Sequence, residues 1–88
     1  MQIDGAIVKE QGVTFSIVIV KSHVIQSQNT ANEMRQSLST IADFDGLPMI
    51  LAAQDSKGVF TYQGRDDIVK FLANIDASRI PWKRYSVS

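Results

Sequence analysis

The clearest pattern in the chain runs strand, turn, strand, helix between Pro48 and Ile75. Met49–Gln54 (MILAAQ) is apolar almost throughout. Asp55-Ser56-Lys57-Gly58 puts Asp at the first position of a tight turn and Gly at the last, and Val59–Gln63 is β-branched and aromatic. Ile68, Phe71, Leu72 and Ile75 then recur at i, i+3, i+4 and i+7, one stripe of a helix that starts near Asp66. Asp66 and Asp67 fall in its first turn, where carboxylates meet the positive end of the helix dipole.

The N-terminal half predicts a similar outline. Ile3–Lys9 reads as a first strand and Val13–Lys21 (VTFSIVIVK) as a second, joined through Glu10-Gln11-Gly12. In the second strand Val13, Phe15, Ile17 and Ile19 share one face, and Ser16, Val18 and Val20 share the other. Apolar residues on both faces mark a central strand covered on both sides. Ser22–Asn29 is polar apart from Val24 and Ile25 and reads as a loop. Thr30-Ala31-Asn32-Glu33 has capping-box spacing and opens a first helix. Ala31, Met34, Leu38, Ile41 and Ala42 form its buried stripe, while Arg35, Gln36 and Ser39 face solvent. Asp43-Phe44-Asp45-Gly46 stops the helix, and Pro48 prevents its resumption. Near the C-terminus Pro81 breaks any helix, and Lys83–Val87 predicts a short last strand at a sheet edge.

The order is ββαββα with a short C-terminal strand: one α+β domain over residues 1–88, a single mixed or antiparallel sheet of four to five strands, two helices packed on one face. If the second and third strands run parallel, the first helix is their right-handed crossover. A chain of 88 residues leaves no room for two cores. With both helices on one face, Val18 and Val20, together with Ile50 and Ala52 or with Met49 and Leu51, need cover on the other. The expected cover is the Trp82–Val87 tail, a second copy of the chain in a two-fold dimer, or both.

Composition removes chemistries rather than adding them. Nine Lys and Arg balance nine Asp and Glu, so no overall field gathers nucleic acid or an anionic membrane. The chain has no cysteine, which removes disulfides, thiolate nucleophiles, zinc–sulfur sites and iron–sulfur clusters. Its first residues lack the pattern of a signal peptide, and its apolar runs, Ile17–Val20 among them, are far short of a membrane span. A cytoplasmic protein with no cofactor is the expectation.

His23, the single histidine, follows the strongest strand and has the chemistry of a general base or a metal ligand, but only carboxylates could complete its site. Asp43 and Asp45 hold part of a calcium-loop pattern without its remaining ligands; a helix stop explains them. Gly64-Arg65-Asp66-Asp67, at a strand-to-helix junction, has amides that could meet an anion, yet the two aspartates favour a capping role. Ser37, Ser39, Thr40, Ser56 and Thr61 lack the setting of an activated nucleophile.

The tail Arg79-Ile80-Pro81-Trp82-Lys83-Arg84-Tyr85 is the most distinctive composition, with three cations and two large aromatics. Trp82, Lys83, Arg84 and Tyr85 are the candidate residues for binding a partner or a second copy, because Trp, Tyr and Arg concentrate in interface hot spots. Base stacking with phosphate contacts is a second reading, and a strand whose rings cover the core while its cations reach water is a third.

Leu47-Pro48-Met49 leading into a strand, a hairpin, a Gly and a final helix resembles the second half of a thioredoxin-like domain, with Pro48 where that family has a cis-proline. The resemblance covers about a third of the chain. A predicted hairpin replaces the family's strand–helix–strand opening, and without cysteine the resemblance implies an outline and no redox activity. The expected function is non-catalytic, acting through protein–protein contact or self-association. The alternatives are a small-ligand or metal-dependent enzyme using His23 with Asp43 or Asp45, and a nucleic-acid module built on the tail.

Overall fold

A computed structural model describes residues 2–10 and 12–86; Gln11 of the first predicted turn and Val87 of the last predicted strand lie outside them. Its strands are β1 (Gln2–Glu10), β2 (Val13–Ile19), β3 (Met49–Gln54), β4 (Phe60–Gln63) and β5 (Lys83–Ser86). Its helices are α1 (Ser22–Ile25), α2 (Gln28–Leu38) and α3 (Asp66–Leu72), with 3-10 turns at Ala42–Phe44 and Ala77–Arg79. The strands form one mixed sheet in the order β4-β3-β2-β1-β5. β1–β2 and β3–β4 are antiparallel hairpins, β2 and β3 are parallel across the α2 connection, and β5 returns antiparallel to β1. This is the α+β plan, with its short C-terminal strand, that the residue pattern predicts.

The register decides what each face carries. Ile17 stands opposite Ala6 and Ile50, and Val18 stands opposite Gly5 and Leu51. Ala6, Phe15, Ile17, Ile50 and Ala52 are buried with Ile68 and Leu72 of α3. Val18, Met49 and Leu51 are buried with Ala31 and Leu38 of α2. Successive residues of a strand point to opposite faces, so α2 and α3 lie on opposite sides of the sheet. This corrects the expectation that both helices share a face. The cause lies in β2 and β3, whose apolar residues occupy both parities and demand cover on both sides. The expected bare face is absent with it: Val18, Ile50 and Leu51 are fully buried within one chain. The sheet therefore divides the apolar residues into two clusters in place of the expected single core.

Neither helix is long enough to cover five strands, and aromatic residues complete both layers. On the α2 side the Phe44 ring packs against Tyr85 at a tilt of 58°, with centroids 4.8 Å apart. Gly5 lies beneath them; a Cβ there would come within 2.8 Å of the Ile17 carbonyl oxygen and 3.4 Å of the Phe44 ring. On the α3 side Trp82 stacks on Phe60 at 5.7 Å, and its Nε1–H donates to the Ala77 carbonyl at 3.0 Å. Phe60 lies on the edge strand β4, and Trp82 immediately precedes the other edge strand, β5. Their contact closes the α3 layer across the small residues Ala6 and Ala52.

Local differences have local causes. Where a loop was expected, Ser22–Ile25 makes one helical turn, because Val24 buries its side chain in the α2 cluster. α2 starts at Gln28, with the Ser27 hydroxyl accepting from the Thr30 amide at 3.5 Å, so Thr30 is inside the helix and not its cap. The helix ends at Leu38; Ala42 is exposed, and Phe44 fills the core in its place. No peptide bond among the described residues is cis, and a hairpin opens the chain, so the thioredoxin-like outline stops at β3, β4 and α3. No helix among the described residues is long and apolar enough to cross a membrane.

Three substitutions test this packing in urea unfolding followed by far-ultraviolet circular dichroism. Gly5→Ala should lower stability by about 1–3 kcal/mol, the usual cost of forcing a methyl into a filled site; an unchanged midpoint would show that the Phe44–Tyr85 layer is loose. Trp82→Ala should cost about 3 kcal/mol, as for truncation of an aromatic core residue. Trp82→Phe should cost about 1 kcal/mol, chiefly the lost hydrogen bond.

Candidate functional site

The residues that the sequence nominates for chemistry do not converge. His23 is exposed on α1, and Asp43 and Asp45 are exposed on either side of the buried Phe44. Among the described residues no group of three His, Cys, Asp or Glu side chains is placed to hold a metal ion. The hydroxyls of Ser39 and Thr40 donate back to the carbonyls of Gln36 and Ser37 at 2.7 and 2.9 Å, so they cap the end of α2. At the start of α3 the Arg65 guanidinium donates from Nε and Nη2 to the two carboxylate oxygens of Asp67, at 2.8 and 2.9 Å. This fork lowers the Asp67 pKa and raises that of Arg65. The Gly64–Asp67 junction is thus satisfied by its own side chains.

The tail residues separate by parity. Tyr85 is buried at 7% exposure against the tilted ring of Phe44, and Trp82 is half-buried and stacked on Phe60. Lys83 and Arg84 are exposed; the Lys83 ammonium lies 5.2 Å from the centre of the Tyr85 ring, and Arg84 Nε meets Asp4 Oδ1 at 3.3 Å. The four residues therefore line opposite faces of one edge and present no common surface.

Arg35 is the polar residue that the helical pattern misplaces. It was expected in solvent, yet it is half-buried and reaches over the end of the β3–β4 ladder. Nε donates to the Met49 carbonyl at 3.0 Å, Nη2 to the Gln63 carbonyl at 2.7 Å and to Gln63 Oε1, and Nη1 to Asn32 Oδ1 at 3.3 Å. Gln28 joins the network through Asn32 and Gln63. β4 ends at Gln63, so the guanidinium supplies the donors that a longer strand would have given. Burial lowers the Arg35 pKa. Gly64 makes the approach possible: with φ +155°, it has no Cβ to come within 2.6 Å of Ile50 Cδ1 and 3.2 Å of Arg35 Nη2. A polar row at 28, 32 and 35 on a helix beside a short strand is the signal that would have found this clamp.

Among the described residues the outer edges of β4 and β5 are left without an intramolecular strand partner, and the β4 edge is the uncharged one. The strand pairs only with β3. At the turn the Asp55 amide donates to the Val59 carbonyl at 3.0 Å. Antiparallel alternation then directs the backbone groups of Val59, Thr61 and Gln63 toward β3, and those of Phe60 and Tyr62 toward the open side. Phe60 is held between Tyr62 and Trp82, with ring centroids 6.1 and 5.7 Å away. Val59, at 59% exposure, is the large hydrophobic residue left in water among the described residues. Beside it a groove of about 570 Å³ runs between β4 and α3, lined by Val59, Phe60, Tyr62, Val69, Leu72 and Ile75 among others.

The two sheet edges differ in charge. β5 carries Lys83 and Arg84, the type of residue that keeps an edge from pairing. From Val59 to Gln63 the β4 edge carries none. No family model matches this chain, and no curated protein or solved structure matches it either, so its own residues carry the functional argument.

Proposed function

We propose that the protein acts without catalysis, as an interaction module whose β4 edge and adjoining groove receive an extended strand of another polypeptide. The observation that carries this reading is the asymmetry of the edges: charged at β5, uncharged and β-prone at β4, with Val59 exposed beside it. An added strand would take its main-chain hydrogen bonds from Phe60 and Tyr62, and its alternate side chains would enter the groove along Val69, Leu72 and Ile75. The tail supports this role from within. Trp82 fixes Phe60, while Lys83 and Arg84 protect the other edge. The proposal thus moves the contact from the tail, where the sequence pattern puts it, to β4.

Selection of random displayed peptides on the folded protein should enrich extended sequences with alternating apolar residues. Their binding should slow hydrogen exchange at the Phe60 and Tyr62 amides. It should weaken by about tenfold or more in Val59→Lys combined with Thr61→Lys, two exposed positions whose substitution leaves the core intact. Selected peptides that bind equally to this variant, or no enrichment at all, would refute the β4 edge as the site.

A further inference from the structure

We infer that the strand received at β4 is β4 of a second copy of this chain, antiparallel about a two-fold axis at Thr61. The inference rests on the reading of β4 as a pairing edge and names its occupant.

The register follows from which backbone groups are free. Phe60 and Tyr62 present the open N–H and C=O groups, and both side chains belong to the α3 face. A two-fold axis perpendicular to the sheet keeps the same face up in both copies, so only registers pairing residues of like parity are allowed. Pairing Phe60 of each copy with Tyr62 of the other uses every outward-facing strand residue of β4 and sets two aromatic cross-strand pairs side by side. A shift of two residues either way would place Phe60 opposite Phe60 or Tyr62 opposite Tyr62, and would spend a pair on Gly58 or Gly64 beyond the strand.

In this register Thr61 faces Thr61 as the close, non-hydrogen-bonded pair, and Val59 stands opposite Gln63. β-branched and uncharged residues on the axis meet no like-charge repulsion. Of the flanking charges, one pair is left free and is complementary. Lys57, in the β3–β4 turn, and Asp66, at the start of α3, are exposed, and neither belongs to the ion pairs among the described residues. Antiparallel pairing brings the turn of one copy beside the α3 start of the other: the register sets Lys57 opposite Arg65, whose charge is already taken up by Asp67, so the free charge beside Lys57 is Asp66, one residue further on, twice over. Asp55 and Asp67, which would otherwise meet there, are occupied: Asp55 accepts from the Lys57 and Val59 amides at 2.8 and 3.0 Å, and Asp67 holds Arg65. The result is one continuous sheet of both copies, with the two α3 helices on the same face and the β4 grooves meeting at the junction.

The cysteine-free chain makes the test direct. Thr61→Cys introduces a single thiol whose counterpart across the axis lies about 4.5 Å away between Cα atoms, within the range for a disulfide. Mild oxidation should convert it to a covalent dimer, while Val59→Cys, whose neighbour is Gln63, should stay largely monomeric. Sedimentation equilibrium should show a dimer for the unaltered chain. Lys57→Glu should weaken it about threefold or more, and adding Asp66→Lys should restore it, since two exposed ion pairs are exchanged for two of opposite sense. A dimer that forms without the Thr61→Cys cross-link, or that ignores both charge changes, would place the contact elsewhere and overturn the inference. A monomer at high concentration would overturn it too; if selected peptides still protect Phe60 and Tyr62, the pairing edge stands and only its occupant is wrong.

Discussion

The parallel pairing of β2 with β3 is the constraint on which the rest of the structure depends. Ile17 and Ile50 face one side of that pair, and Val18 and Leu51 the other, all fully buried. A parallel pair cannot be closed by a tight turn, so the chain must cross over one face, and α2 does so. The opposite face is then as apolar as the first and needs an element of its own, which α3 supplies. In a chain this short both layers are thin. Phe44 with Tyr85 and Phe60 with Trp82 extend them over the strands that the helices do not reach. Gly5 is the geometric consequence, since β1 must let two rings close over it.

The same crossover leaves backbone groups without strand partners where β3 begins, and side chains meet them. The Pro48 carbonyl accepts from both the amide and the hydroxyl of Ser16, a fully buried polar side chain on the α2 face. The Met49 carbonyl, past the end of β4, accepts from Arg35. Among the described residues no buried side-chain nitrogen or oxygen is left unpaired. An unpaired buried group would cost about 1–3 kcal/mol each, a large share of the stability of a small domain. Arg35 therefore reads as part of the scaffold, in spite of the charge that would nominate it for ligand binding.

The elements were legible in the sequence because each has a period and a boundary of its own. The Asp55–Gly58 turn and the Ile68–Leu72 stripe both occur where side-chain pattern and turn chemistry agree, whereas the first helix ends at Leu38, well before the expected stop at Gly46. What failed was the assignment of faces. The stripes of the two helices look alike, and nothing local says which side of a sheet a helix covers. The alternation within β2 did hold that information, and Val18 and Val20 were better evidence for a second helical layer than for a bare one. Arg35 was misplaced for a related reason: helical periodicity locates its Cα on the outer face, but the length of the side chain carries its charge back to the sheet edge. The tail was legible as a strand, and the structure favours its packing reading, because parity along β5 alternates Tyr85 inward with Arg84 outward.

Edges are where a small open sheet meets its surroundings, and this one treats its two edges differently. β5 is short, charged and tied to β1 through Arg84 and Asp4. β4 is equally short but uncharged, and its rings are fixed from across the sheet by Trp82. An uncharged edge is a liability unless it is used, since its free N–H and C=O groups will pair with any strand that approaches. In the proposed role the position of α3 would give the pairing its selectivity: covering the core from the β4 side, it leaves a groove on one face of the sheet beside that edge. The demand for cover on both faces of β2 and β3 thus accounts for the groove beside β4 as well as for the fold, because the helix that satisfies the demand also forms one wall of the groove.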